Sequence, residues 1–222
     1  VHRLEDSSGR PSARAVAGGR RSPITLLVLV VLAGSAPAAD PPGTPSSREA
    51  LALCNRAQDA PAGERPALLA RSLTLADEAV GADEQDALAH FARFCALGEQ
   101  ARIAGASVTS LLKLRPIRRA VERTLALAPD FAPALLGKGA LLLKVPWPLG
   151  GDAAEGERLV RRALAVDPDY LDARMLLAET LADHGQKTEA RAEAKRALET
   201  AERERDAGDV AAARRLLARL AD

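Results

Sequence analysis

The sequence predicts an all-α protein, a stack of helix-turn-helix units forming an α-solenoid closed by a capping helix. Three observations lead there. Apolar residues make up 47% of the 222 while aromatics are only 2%, so small Ala and Leu side chains on closely approaching helices must build the interior. Helical periodicity runs almost unbroken from about residue 48 to the end. The helix-ending phrase "ALAVDPDYLDAR" (163–174) also recurs as "LALAPDFAPAL" (125–135) and, with Glu84 in the proline's place, as "AVGADEQDALAH" (79–90).

Residues 1–38 read as an N-terminal extension followed by a secretory signal peptide. Arg20 and Arg21 precede an apolar run from Ile24 to Ala33, and Ala36-Pro37-Ala38 supplies small residues, so cleavage is expected after Ala38. An uncleaved anchor is the alternative, but the run is shorter than the roughly 20 residues that span a bilayer. No stable membrane span is expected after cleavage. The expected location is periplasmic or secreted. The formal charge of +1 becomes −2 on cleavage, with 26 basic and 28 acidic residues remaining. No run of five like charges occurs, so a nucleic-acid footprint is not expected.

Residues 39–47 form a Pro/Gly/Ser-rich linker, and the helical domain is expected over 48–222. Ser46 and Glu49 form a capping box opening a first helix to about Gln58. "DAPAG" ends it, and a second helix runs from about Glu64 to Ala82. The recurring phrase then divides the chain into units at about 48–84, 87–131, 132–170 and 171–204, with a capping helix at 208–221. Glu84 and Pro129 are 45 residues apart and Pro129 and Pro168 are 39, so inter-helix loops should carry insertions. One is "IAGASVTSLLKLRP" (103–116) and the other "VPWPLGGD" (145–152). Gly150-Gly151-Asp152 lacks the Lys-Ser/Thr of a phosphate loop and follows no strand. It reads as a turn plus a helix cap, with Asp152 as N-cap and Glu155 as its box partner. Trp147 is expected to pack over the helix pair or to stand at a groove mouth.

Counted from Leu171, residues Leu177, Ala178, Leu181, Gly185, Ala190, Ala194 and Ala197 fall at positions seven, eight, eleven, fifteen, twenty, twenty-four and twenty-seven of a 34-residue unit. The pattern resembles the tetratricopeptide repeat, a helix-turn-helix solenoid in which Ala178 and Ala190 let paired helices close up. With the "P-x-P-L-G-G-D" insert, it is similar to the periplasmic T-component branch associated with TRAP transporters. That resemblance, over roughly 48–200, implies a helical bundle that can oligomerise and enclose an apolar ligand channel beside a transporter's binding protein.

The resemblance places the concave groove on the first helix of each unit. Its expected lining is Leu88, Phe91 and Cys95, then Leu136, Ala140 and Leu143, then Met175, Glu179 and Ala182, with Trp147 at the mouth. A mostly apolar lining suits an apolar segment or small hydrophobic ligand better than a charged terminus; the C-terminal helix could equally fill it. The expected function is an exported, non-enzymatic binding protein, a transporter-associated accessory protein holding a small apolar ligand. The alternative is a protein–protein scaffold in cell-envelope assembly. His2, His90 and His184 are scattered, and no nucleophile, metal or cofactor motif occurs, so neither catalysis nor a cofactor is expected. Cys54 and Cys95 fall on neighbouring helices; a disulfide and two buried thiols both fit that placement.

Overall fold

The computed structural model describes residues 40–105 and 108–221; the leader and its cleavage point lie outside the described residues. Among the described residues there is no strand, and the chain forms α1 (Pro45–Asp59), α2 (Arg65–Ala82), α3 (Ala87–Ala104), α4 (Val108–Leu127), α5 (Ala132–Lys144), α6 (Ala153–Val166), α7 (Leu171–Asp183), α8 (Lys187–Glu204) and α9 (Ala207–Arg219). Helices pack as consecutive pairs, α1 on α2, α3 on α4, α5 on α6 and α7 on α8, with α9 closing the end against α8 and α7. This is the tetratricopeptide-type solenoid with a capping helix.

The first helix starts earlier than the sequence suggests. Its N-cap is Thr44, whose hydroxyl accepts the Ser47 N–H at 3.2 Å, with Pro45 at the first helical position. The Ser46–Glu49 box is therefore not formed; proline's fixed φ favours the first turn two residues upstream. Glu49 instead pairs with Arg71 of α2 at 3.0 Å. Within this pair, buried Ser72 donates to the Ala50 carbonyl at 2.7 Å, so a hydroxyl at the contact costs no unpaired group.

The segment 103–116 is not a loop insertion. Ile103 and Ala104 end α3, and Val108 to Pro116 are the opening turns of α4. Pro116 lies inside that helix and forgoes one backbone donor there. The extra residues lengthen a helix pair instead of the connection between them.

In the third pair the close contact is made by two glycines. A methyl group on Gly156 of α6 would sit 3.0 Å from the Gly139 carbonyl of α5 and 2.8 Å from Leu143 Cγ. Counted from Ala132 and Leu171, Gly139 holds the place that Ala178 holds in α7; counted from the helix starts Ala153 and Lys187, Gly156 holds that of Ala190 in α8. Ala178, Ala190 and Ala197 are fully buried, and Gly185 turns the chain between α7 and α8 with φ of 75°. Arg174 and Glu193, both largely buried, join these helices at 2.9 Å. Arg191 donates to the carbonyls of Leu220 and Ala221, fixing the end of α9.

Candidate protein-interaction site

Three of the expected groove residues are consumed by packing. Leu88 is only 4% exposed, in a cluster with Val121, Phe131 and Ala134, and the chain at Gly43 lies directly over it. Phe91 is half-buried, 5.9 Å from Phe94 and edge-on to Phe131 at 4.9 Å between ring centres. Cys95 is bonded to Cys54, their Cα atoms 6.2 Å apart. Leu88 is thus closed off, while Phe91 and Cys95 are half-buried and engaged with their neighbours.

Farther along, Leu136, Ala140 and Leu143 are half-buried, and Leu136 and Leu143 lean on the largest core cluster together with Met175 and Ala182. Glu179 is exposed and pairs with Arg219 of α9 at 2.9 Å. Beside it Ala182, Leu216 and Leu220 line a shallow cleft of about 370 Å³. The capping helix therefore occupies the flank of α7.

The stretch between α5 and α6 behaves differently. Trp147 does not pack over the helix pair: it is 84% exposed, and Leu149, two residues on, is 43% exposed. The loop is nonetheless held firmly. Trp147–Leu149 form a 3-10 turn that follows Pro146 and contains Pro148, both fixed in φ. The N–H groups of Leu149 and Gly151 donate to the Pro146 carbonyl at 2.9 and 3.1 Å. Gly150 donates to Trp147 at 2.8 Å, and Asp152 to Leu142 at 3.1 Å. With these amides spent internally, the Gly-Gly turn has no donors to cradle a phosphate.

Both glycines are required. Gly150 has φ of 89°, and a side chain there would strike the Arg118 guanidinium. A Cβ at Gly151 would lie 1.6 Å from the Val145 carbonyl oxygen. Arg118 of α4 reaches across to donate to the Leu149 carbonyl at 2.8 Å. That brace comes from 31 residues upstream, so no local pattern could reveal it.

At the base of the projection lies a cleft of about 310 Å³ between α4, α5 and the start of α6. Its charges are mixed: Arg118 and Lys138 face Glu122, Asp152 and Glu155. Asp152 caps α6, accepting the Glu155 N–H at 3.0 Å. The reciprocal half of the box is absent, since the Glu155 carboxylate accepts two hydrogen bonds from Arg158, at 2.7 and 2.6 Å. Those bonds, with the charges of Arg158 and Lys138, outweigh burial and hold the Glu155 carboxyl below its ordinary range. An exposed aromatic and a leucine on a rigid base, beside mixed charge, form a surface that can receive a protein or peptide.

His90 Nε2 lies 3.1 Å from the Glu84 carbonyl, and His184 sits beside Glu157 at 3.4 Å. Among the described residues no group of three or more His, Cys, Asp or Glu is placed to hold a metal ion, and no helix is long and apolar enough to cross a membrane.

No protein-family model matches the chain, and no curated protein matches it. Solved structures do. TTC0263, a thermophilic tetratricopeptide-repeat protein of Thermus thermophilus, superposes with a TM-score of 0.58 at 22% identity, covering 75% of this chain and 80% of that one. A MamA RS-1 double mutant gives 0.49 at 17% identity over 73% and 76% of the two chains, and MamA gives 0.47 at 17% over 71% and 80%. The first of these, with the helix order and the alanine and glycine contacts above, defines the class: a tetratricopeptide-repeat fold.

Proposed function

We propose that this chain is an exported, non-enzymatic adaptor that binds a protein partner through the projection Trp147–Leu149 and the cleft at its base. The observation that carries this reading is a tryptophan left 84% exposed on a loop whose amides, prolines and Arg118 brace hold it in place. Rigid exposed aromatics anchor interfaces at low entropic cost. Export draws support from the leader sequence and from the Cys54–Cys95 bond, which an oxidising compartment sustains.

The rival is a transporter-associated protein holding a small apolar molecule between its helices. It rests on the Gly-Gly-Asp insert and on half-buried Leu136, Ala140 and Leu143. The spending of Leu88, Phe91 and Cys95 on packing favours the protein partner.

A photo-crosslinking residue at position 147 or 149, compared with exposed Ala192 on α8, tests the reading in the native host. A discrete adduct from 147 and 149 alone is the expected result. Equal, diffuse labelling from all three positions overturns it, and native mass spectrometry retaining an apolar small molecule would turn the reading toward the rival.

A further inference from the structure

Away from the projection, α2, α3 and α4 enclose a second cleft of about 280 Å³. Its walls have two characters. Val80 of α2 with Pro116 and Ala120 of α4 form an apolar side. Arg119 and Arg123 of α4, with Arg93 of α3, bring three guanidinium groups to the same space.

The charges are unequally satisfied. Arg93 is engaged with Asp77 at 2.8 Å. Arg123 has one long hydrogen bond, 3.3 Å to the Glu84 backbone carbonyl, which also faces His90 Nε2. Arg119 makes no hydrogen bond or ion pair among the described residues. Glu84 is the acidic residue lining the cleft. Arg119 and Arg123 stand one turn apart on α4, where like charges repel unless a counter-charge lies between them.

We propose that this cleft binds a small organic anion. Its carboxylate or phosphate bridges Arg119 and Arg123, and a short apolar body lies against Val80, Pro116 and Ala120. Guanidinium forks are suited to bidentate oxyanion contacts. The volume lies just below the roughly 300–1,000 Å³ of drug-sized pockets, which limits the ligand to a short chain or single ring. The site shares no residue with the projection and stands or falls independently of it.

Isothermal titration of the disulfide-intact protein tests this with four probes: hexanoate, hexyl phosphate, inorganic phosphate and hexanol. Binding of hexanoate or hexyl phosphate, with hexanol silent, is the expected result, and the tighter of the two anions names the source chemistry. The double variant Arg119→Gln, Arg123→Gln should weaken binding about tenfold or more through loss of charge-assisted hydrogen bonds. Glu84→Gln should tighten it by about twofold to fivefold, since it removes the opposing carboxylate; a merely structural role for these residues predicts no gain. Thermal midpoints of all variants serve as the folding control. Absence of binding by both amphiphilic anions, or binding unchanged in the double variant, overturns the proposal. Inorganic phosphate binding as tightly as hexyl phosphate would overturn the role of the apolar wall.

Discussion

Asp86 ties together two parts of the chain 42 residues apart: its Oδ2 accepts the Thr44 N–H at 3.0 Å while its Oδ1 accepts the Ala89 N–H at 2.9 Å. One carboxylate thus caps α3 and fixes the entrance to α1. Asp86 is 3% exposed, so removing it strands buried donors on both sides. Asp86→Ala should cost about 1–3 kcal/mol in urea unfolding, more than an ordinary exposed cap.

The same residue sets an acid limit. Burial pushes the Asp86 carboxyl up, but the N–H groups of Thr44 and Ala89 and the hydroxyls of Ser47 and Thr44 together hold it below its ordinary value. Its stabilisation is therefore complete above about pH 4, where the unfolded carboxyl ionises, and is lost as pH falls through the lower folded value. Urea midpoints measured from about pH 5 to about pH 2 should fall less steeply in Asp86→Asn than in the wild type. Parallel curves would remove Asp86 as the cause.

Glycines in two helices should respond with opposite signs. Gly156→Ala drives a methyl into Leu143 and the Gly139 carbonyl, and overpacking of this kind costs about 1–3 kcal/mol. Gly98 in α3 faces open space, so Gly98→Ala should stabilise by about 0.5–1 kcal/mol through helix propensity. Paired denaturation curves distinguish the two effects.

The Cys54–Cys95 bond closes a segment with a sequence separation of 41. Reduction, or the double change Cys54→Ala, Cys95→Ala, should lower stability by about 2–4 kcal/mol. Loss should be greatest in the α1–α3 region, which hydrogen exchange would register as faster amides there than in α7 and α8.

Trp147 is the chain's single tryptophan, so its fluorescence reports on the projection alone. Trp147→Ala should leave the thermal midpoint unchanged, within about 0.5 kcal/mol, as befits an exposed side chain. In the wild type the emission should be fully open to acrylamide quenching and become shielded when a partner binds. Gly151→Ala, which forces a Cβ onto the Val145 carbonyl, should disturb the loop and abolish that shielding while α7 to α9 remain folded.

The sequence by itself determined the helix order, the pairing of small residues at Ala178 and Ala190, the turn at Gly185 and the cap at Asp152, because each follows from local periodicity or local hydrogen bonding. It misplaced the start of α1, where Pro45 competes with Ser46, and took 103–116 for a loop, because an internal proline reads as a breaker while the rest of α4 can absorb it. Only the tertiary structure decided which apolar positions stay open. Leu88 is covered by the chain at Gly43 and Phe91 by Phe131, partners that lie far away in sequence. Trp147 remains in solvent on a loop that Arg118, brought across from α4, ties down through the Leu149 carbonyl. Local rules fix which segments coil; the burial of any one side chain depends on what the rest of the chain brings to it.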